Sequence, residues 1–339
     1  MLKSIASARI SIRLESYIFA GDEVGHSFAE ALAERAQAGI WVRLHLDAVG
    51  AHGGLSRPLL RMLRQRGVRV KWFHRWSWRH PTRYNRRNHR KLLVVDDQVA
   101  YVGGFNIHRA SSRRLYGETR WRDSHVAISG TLADYAGKLF DAFWRGHRFA
   151  MPAEGGSDAL DGLAVNDTSG CRRFIRCVYS EAIASARQAI RLTTPYFVPD
   201  LLMQQHLMQA ARRGVDVQLL VPSRSDVPLT RWAAHAFYAA LIDAGVSIYE
   251  YLPRMLHAKT MTIDGRWAVL GTSNFDYRSF FLNHELVFTT SERRFCTLLE
   301  ERFDADLGES RPVTATDWAK RGWQQRVLEV VGWVVRRWL

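Results

Sequence analysis

The chain has 339 residues, 47% hydrophobic and 24% charged, with a formal net charge of +15; that length and balance suit one or two globular domains with sizeable cores. Its three cysteines (Cys171, Cys177, Cys296) make no disulfide framework, and Arg9, Arg13 and Glu15 interrupt any apolar run of a secretory signal. No segment reaches the ~18 continuous apolar residues of a transmembrane helix. The expectation is a soluble or peripheral protein of a reducing compartment.

Taken in order, the elements repeat. Ile5–Leu14 (IASARISIRL) and Ile183–Leu192 (IASARQAIRL) are identical at eight of ten positions, and Tyr17 recurs as Tyr196. Helices ending near Gly39 and Gly214 each run into a strand, WVRLHLD (Trp41–Asp47) and VDVQLLVP (Val215–Pro222). RQRGVRVKWF (Arg64–Phe73) then matches LIDAGVSIYEY (Leu241–Tyr251), again helix, Gly stop and strand. The pattern predicts an internal duplication, with an α/β sheet covered by helices in each half.

Each series closes on the same motif. His89, Lys91 and Asp96 stand in the spacing HxKxxxxD, followed by Gly103, Gly104 and Asn106. His257, Lys259 and Asp264 repeat it, followed by Gly271, Thr272, Ser273 and Asn274. The chemistry fits phosphodiester transfer. A neutral imidazole can attack phosphorus, and a second, protonated one can donate to the leaving alkoxide. The Lys and Asn side chains can hold the non-bridging oxygens. One copy supplies a single His, so one active site is expected where the halves meet. Two buried structural histidines would explain neither the repetition nor the Lys two residues after each His.

The halves also differ. Between Arg57 and Lys91 there are thirteen Lys or Arg residues and no Asp or Glu, which predicts an anionic partner, either nucleic acid or an acidic membrane. Part of this block is an insertion, HRWSWRHPTRYNRRN (residues 74–88), with Trp76 and Trp78 inside it and Trp72 just before. It reads either as a solvated basic loop or as a rim that captures phosphate head groups. His74, His80 and His89 follow no usual ligand spacing, so no metal is expected. A second insertion, HRASSRRLYGETRWRD, covers residues 108–123. RFIRCVYS (Arg173–Ser180) reads as a strand with no counterpart in the first half, which suggests a native N-terminus longer than Met1 or an exposed sheet edge.

The domain expectation is a first repeat over residues 1–150, a linker over 151–170, a second repeat over 171–306 and a tail over 307–339. In the tail, Trp323, Val327, Val330, Val331, Val334 and Trp338 share one helical face, with Gln325, Arg326, Glu329 and Arg336 mainly on the other. Such a helix either docks on the protein's own surface or lies in a membrane interface, with Arg336 and Arg337 reaching phosphates.

With both motifs placed, the chain resembles the phospholipase D superfamily, and within it the bacterial cardiolipin synthases. HRKLLVVD with GGFN and HAKTMTID with GTSN carry the general likeness. TTPYFVPD (Thr193–Asp200), Pro222–Gly265, NFDYRSFFLNHE (Asn274–Glu285) and WRDSHVAISG (Trp121–Gly130) carry the narrower one. The resemblance implies an α/β tandem of phospholipase D-like domains and a double displacement without metal or cofactor. It implies a phosphatidyl-histidine and transfer to phosphatidylglycerol to form cardiolipin. The donor it implies is a phospholipid whose head group the sequence does not give, with phosphatidylglycerol and phosphatidylethanolamine as the candidates. His89 is assigned as nucleophile and His257 as acid, with Lys91, Lys259, Asn106 and Asn274 on the phosphate. Asp123 and Glu285 match the family's carboxylates that orient the imidazoles. Asp96 and Asp264 are either structural partners or reacting groups. The expected place is the cytoplasmic face of an anionic membrane, as a peripheral protein. A lipid-hydrolysing phospholipase D or a nuclease is the alternative. The Trp-rich tail argues against nucleic acid, and two intact His/Lys/Asn sets argue against a non-enzymatic membrane binder.

Overall fold

The computed structural model describes residues 1–51, 54–75, 78, 84–149, 161–166, 168, 171 and 173–336. Trp76, Arg79, His80 and Arg83 of the basic insertion, most of the expected linker, and Arg337 to Leu339 lie outside the described residues.

After α1 (Leu2–Ala6), the first half winds three parallel strands, β1 (Ser11–Ser16), β2 (Trp41–Asp47) and β3 (Arg69–Phe73), through α2 (Glu23–Gln37) and α3 (Arg57–Gln65). Both helices start on sequence-encoded caps. Asp22 accepts the N–H groups of Val24 and Gly25, and Ser56 that of Leu59, with Pro58 in the first turn. Strand β4 (Leu92–Val95) returns antiparallel to β1, and β5 (Val99–Gly103) and β6 (His125–Ser129) complete the order β3-β2-β1-β4-β5-β6. A short α4 (Arg113–Tyr116) sits in the second insertion, and α5 (Thr131–Arg145) follows β6.

The second half repeats this plan and adds to it. Its elements are β7 (Gly162–Val165), α6 (Phe174–Ser185), β8 (Ala189–Thr193), β9 (Phe197–Val198), α7 (Leu201–Arg212), β10 (Asp216–Pro222), α8 (Pro228–Asp243) and β11 (Ser247–Tyr251). Then come β12 (Thr260–Ile263), β13 (Trp267–Gly271), β14 (Phe275–Asp276), α9 (Tyr277–Phe281), β15 (Leu286–Thr290), α10 (Arg293–Gly308), β16 (Ser310–Pro312), α11 (Ala315–Ala319) and α12 (Trp323–Val335). The order β11-β10-β8-β12-β13-β15 copies the first sheet, with β16 and β7 added at the two edges. Between the sheets lies one apolar layer in which Leu92, Val94, Val102 and Ile128 meet Leu163, Leu286 and Phe288. Burying that layer holds the two motif hairpins, β4–β5 and β12–β13, against each other.

Two local expectations are corrected. Arg173–Ser180 is not a strand: Ile175, Val178, Tyr179, Ala182 and Ile183 are buried along α6 at helical spacing, a period the eight-residue window was too short to reveal. The extra strand of the second half is β7, inside the segment read as linker, and it pairs with β15.

Helix α12 docks with the face opposite its apolar stripe. Gly332 lies so close to α8 that a Cβ there would sit 2.3 Å from the Ala233 nitrogen. Trp333 packs on Phe237 with ring centroids 5.4 Å apart, and Glu329 takes an ion pair from Arg321 at 2.8 Å. The stripe itself points outward: Trp323, Val330 and Val334 are 72%, 62% and 68% exposed.

Candidate active site

His89 and His257 precede β4 and β12, at the ends of those strands nearest the C-termini of the parallel strands. Each is fixed by the other half. The N–H of His89 donates to the His284 carbonyl at 2.9 Å, and that of His257 to the Arg122 carbonyl at 2.7 Å. Paired bridges, Asn88 with His284 and Arg122 with Leu256, repeat the arrangement under a pseudo-two-fold.

The orienting carboxylates are exchanged in the same way. Glu285 of the second half lies 3.0 Å from Nδ1 of His89 through both oxygens, and Asp123 of the first half lies 2.6 Å from Nδ1 of His257. An Nδ1–H donated to a carboxylate leaves Nε2 unprotonated and directed away from it, the tautomer a nucleophile or base needs. Gly104 makes the shorter Asp123 possible, because a Cβ there would lie 2.0 Å from Oδ1. At the equivalent place Thr272 donates its hydroxyl to Glu285.

The electrostatics follow from burial. Burial opposes ionisation of Asp123 and Glu285, yet the facing imidazoles and lysines hold both carboxyls below their usual range. Burial pushes His89 below its ordinary value. Burial and then Lys259 push His257 down to about 3. Lys91 and Lys259 are each 2% exposed and donate to the carbonyls of His89 and His257. Burial lowers them to about 7 and about 8, and for Lys91 the charge of Lys259 adds to that lowering. Such a pair of desolvated cations is a ready receptor for a phosphate anion. Asn106 accepts from the Ile18 N–H through Oδ1, which leaves its amide N–H groups for a ligand. Asn274, 5% exposed, holds the equivalent place beside Asp276.

Asp96 and Asp264 are not part of this constellation. They close the far ends of β4 and β12, seven residues and roughly 20 Å of extended chain from the histidines. Asp96 accepts the N–H groups of Arg9, Ile10 and Ser11, all at 2.8 Å; Asp264 accepts those of Arg187, Gln188 and Ala189 at 2.7–2.9 Å. Both hold the start of a neighbouring strand from a turn with positive φ, which makes them structural. Several walls of the site went unassigned in the sequence. Tyr17 stands edge-on to His89 with centroids 5.1 Å apart, and Trp121 lies 5.1 Å from His257. Tyr196 donates to Asp226. The recurrence of Tyr17 as Tyr196 was the available signal for two of them.

The family model described as cardiolipin synthase, PLD-like domain, matches residues 1–144 and 179–307. The chain is 32% identical over 342 residues to the minor cardiolipin synthase ClsB of Bacillus subtilis (strain 168), covering 98% of this chain and 84% of that one. It is 34% identical to cardiolipin synthase A of Pseudomonas aeruginosa (strain LESB58), over 94% of this chain and 66% of that one. Among solved structures, phosphatidylserine synthase of Haemophilus influenzae Rd KW20 superposes with a TM-score of 0.74 at 13% identity, covering 100% of this chain and 92% of that one; at that identity the likeness concerns the fold.

Proposed function

The chain belongs to the cardiolipin synthase, PLD-like domain family, and from that premise we propose that it is a phosphatidyltransferase that forms cardiolipin. One observation carries the mechanism: two imidazoles, each braced by the other half's carboxylate, share a site with two buried lysines. Nε2 of His89 attacks the donor phosphorus, and the bond from phosphorus to the head-group oxygen breaks. Protonated His257 gives that oxygen its proton. The head-group alcohol leaves, as glycerol from phosphatidylglycerol or ethanolamine from phosphatidylethanolamine. The neutral His257 then takes the proton of a hydroxyl on the acceptor phosphatidylglycerol, whose oxygen attacks phosphorus and breaks the N–P bond. Lys91, Lys259, Asn106 and Asn274 stabilise the non-bridging oxygens in both steps. Burial, and then Lys259, keep His257 neutral in the empty site; a bound phosphate offsets the charge of Lys259.

The proposed location is a membrane surface. Among the described residues no helix is long and apolar enough to cross a bilayer. The outward stripe of α12 and the basic block of the first half supply an apolar and an electrostatic contact for an anionic leaflet, in a peripheral arrangement. Gly332 meets α8 at Ala233, five residues from its first residue Pro228. Val227 and Leu229, beside that start, are also exposed.

The test is purified protein with phosphatidylglycerol, with and without phosphatidylethanolamine, and products identified by mass spectrometry. Cardiolipin is expected, and free phosphatidic acid alone would make the protein a hydrolase. His89→Ala should abolish both transfer and the acid-labile phosphoenzyme, while His257→Ala abolishes transfer and keeps the covalent species. The opposite pattern exchanges the two roles.

A further inference from the structure

The duplication provides an internal control for a feature that only the first half has. Counting from His89 and His257, Asn88 corresponds to Leu256 and Arg90 to Ala258. From the register of β1 with β2 and of β8 with β10, His45 corresponds to Leu220. In the second half Leu220, Leu256 and Ala258 close with Tyr251 and Phe303 into an apolar cluster. Arg122 seals it with an ion pair to Asp306 of α10 at 2.8 Å.

The same corner of the first half is open and polar. The counterpart of Arg122 is His284, one residue before the orienting carboxylate, and it meets the rings of Phe73 and Phe143 instead of an acid. Beside it is a pocket of about 570 Å3 whose rim carries Lys71 and Arg86, with no Asp or Glu among its described lining residues. Two of its imidazole nitrogens, Nε2 of His45 and Nδ1 of His284, have no hydrogen-bond partner, on residues only 1% and 9% exposed. Buried polar atoms are normally paired, and two orphans in one cationic pocket mark a place built for a ligand with acceptor oxygens.

We propose that this pocket is a second anion site, separate from the paired histidines, which takes the phosphate of a glycerophosphate head group. His45 faces Glu15 at 3.3 Å through Nδ1, which leaves its unpartnered Nε2 as the ring nitrogen that meets the anion. His284 donates from Nδ1, and Lys71 and Arg86 neutralise the charge from the rim. The pocket borders the reacting site, since the His284 carbonyl accepts the N–H of His89. The existence of the site does not depend on the transferase reading; the choice of a glycerophosphate over other anions rests on it.

The experiment is calorimetric titration of sn-glycerol 3-phosphate, and separately of dihexanoylphosphatidylglycerol, into the His257→Ala protein, which completes no transfer. The same titrations are run with Lys71→Gln/Arg86→Gln added. Arg61→Gln/Arg64→Gln, exposed on α3, removes equal charge elsewhere. Two equivalents per chain are expected, one of them lost or weakened about tenfold by the pocket pair and untouched by the control. Binding of both probes assigns the pocket to phosphate itself, and binding of the lipid alone assigns it to a lipid head group; each supports the site. A single equivalent indifferent to Lys71→Gln/Arg86→Gln, or equal loss in the control, overturns it. Failure of the transferase reading would show in the mass spectra and leave the second equivalent in place.

Discussion

Replacing Val330 and Val334 by Asp should release the protein from membranes while leaving its chemistry intact. Val327, Val330, Val331 and Val334 are 52%, 62%, 41% and 68% exposed on α12. Full burial of a valine is worth ~1.5 kcal/mol, so each of these half-exposed side chains gains ~1 kcal/mol on entering an apolar layer. The four together give ~4 kcal/mol, about a thousandfold in partition. The double substitution removes ~2 kcal/mol of this and sets two carboxylates against an anionic surface at ~1 kcal/mol each. The expected fall in affinity for phosphatidylglycerol vesicles is thus about 10²- to 10³-fold, read by co-sedimentation. The docking contacts at Glu329, Gly332 and Trp333 are untouched, so stability should change by less than ~0.5 kcal/mol. Activity on dihexanoyl lipid dispersed as monomers should persist. Unchanged co-sedimentation would refute the membrane role of α12, and parallel loss of activity on the dispersed lipid would make the helix part of the catalytic body.

Glu285→Gln replaces the carboxylate that fixes the His89 tautomer by a neutral amide, whose N–H can face Nδ1, and should cut kcat about 10³- to 10⁴-fold; with His89 as nucleophile it also suppresses the phosphoenzyme, which Asp123→Asn leaves detectable by acid-quench labelling. Gly104→Ala places a methyl group against Asp123 and should lower kcat through His257, with KM little changed in steady-state assays. Asp96→Ala strands three N–H groups at the start of β1 and should lower stability by about 1–2 kcal/mol in urea titration, with kcat preserved; a large kcat loss in folded protein would return Asp96 to the reacting groups. With Lys91 at about 7 and Lys259 at about 8 in the empty site, a bound phosphate favours their charged forms. At pH 8 its binding should therefore take up protons, measured by calorimetry in buffers of different ionisation enthalpy, and Lys91→Gln should remove most of the uptake.

The duplication, the strand–helix alternation and both motifs were legible because they are local: spacing along the chain carries them. Asp123 and Glu285 were reachable only through resemblance, and their exchange between halves is a long-range fact that no window of sequence contains. Arg173–Ser180 misled because aromatic and branched residues over eight positions suit a strand, while the helical period needs Ala182 and Ile183 to complete it. In the tail the amphipathic pattern was right and the docking side was open. Gly332, a backbone approach with no side-chain signature, decides that the polar face is the packed one. The pocket beside His284 was invisible because it exists by difference: it is what remains where the second half has Leu220, Leu256 and Asp306.

The exchange of carboxylates also bears on how the protein is made. His89 leaves the ribosome 196 residues before Glu285, and Asp123 leaves 134 residues before His257. A nascent first half therefore carries an imidazole with no partner to set its tautomer and a carboxylate with nothing to orient. It can finish its own six-stranded sheet without completing either catalytic pair. Competence arrives in one step, when the second half closes over the first and each supplies what the other lacks. A chain broken off or misfolded before that point has neither imidazole braced.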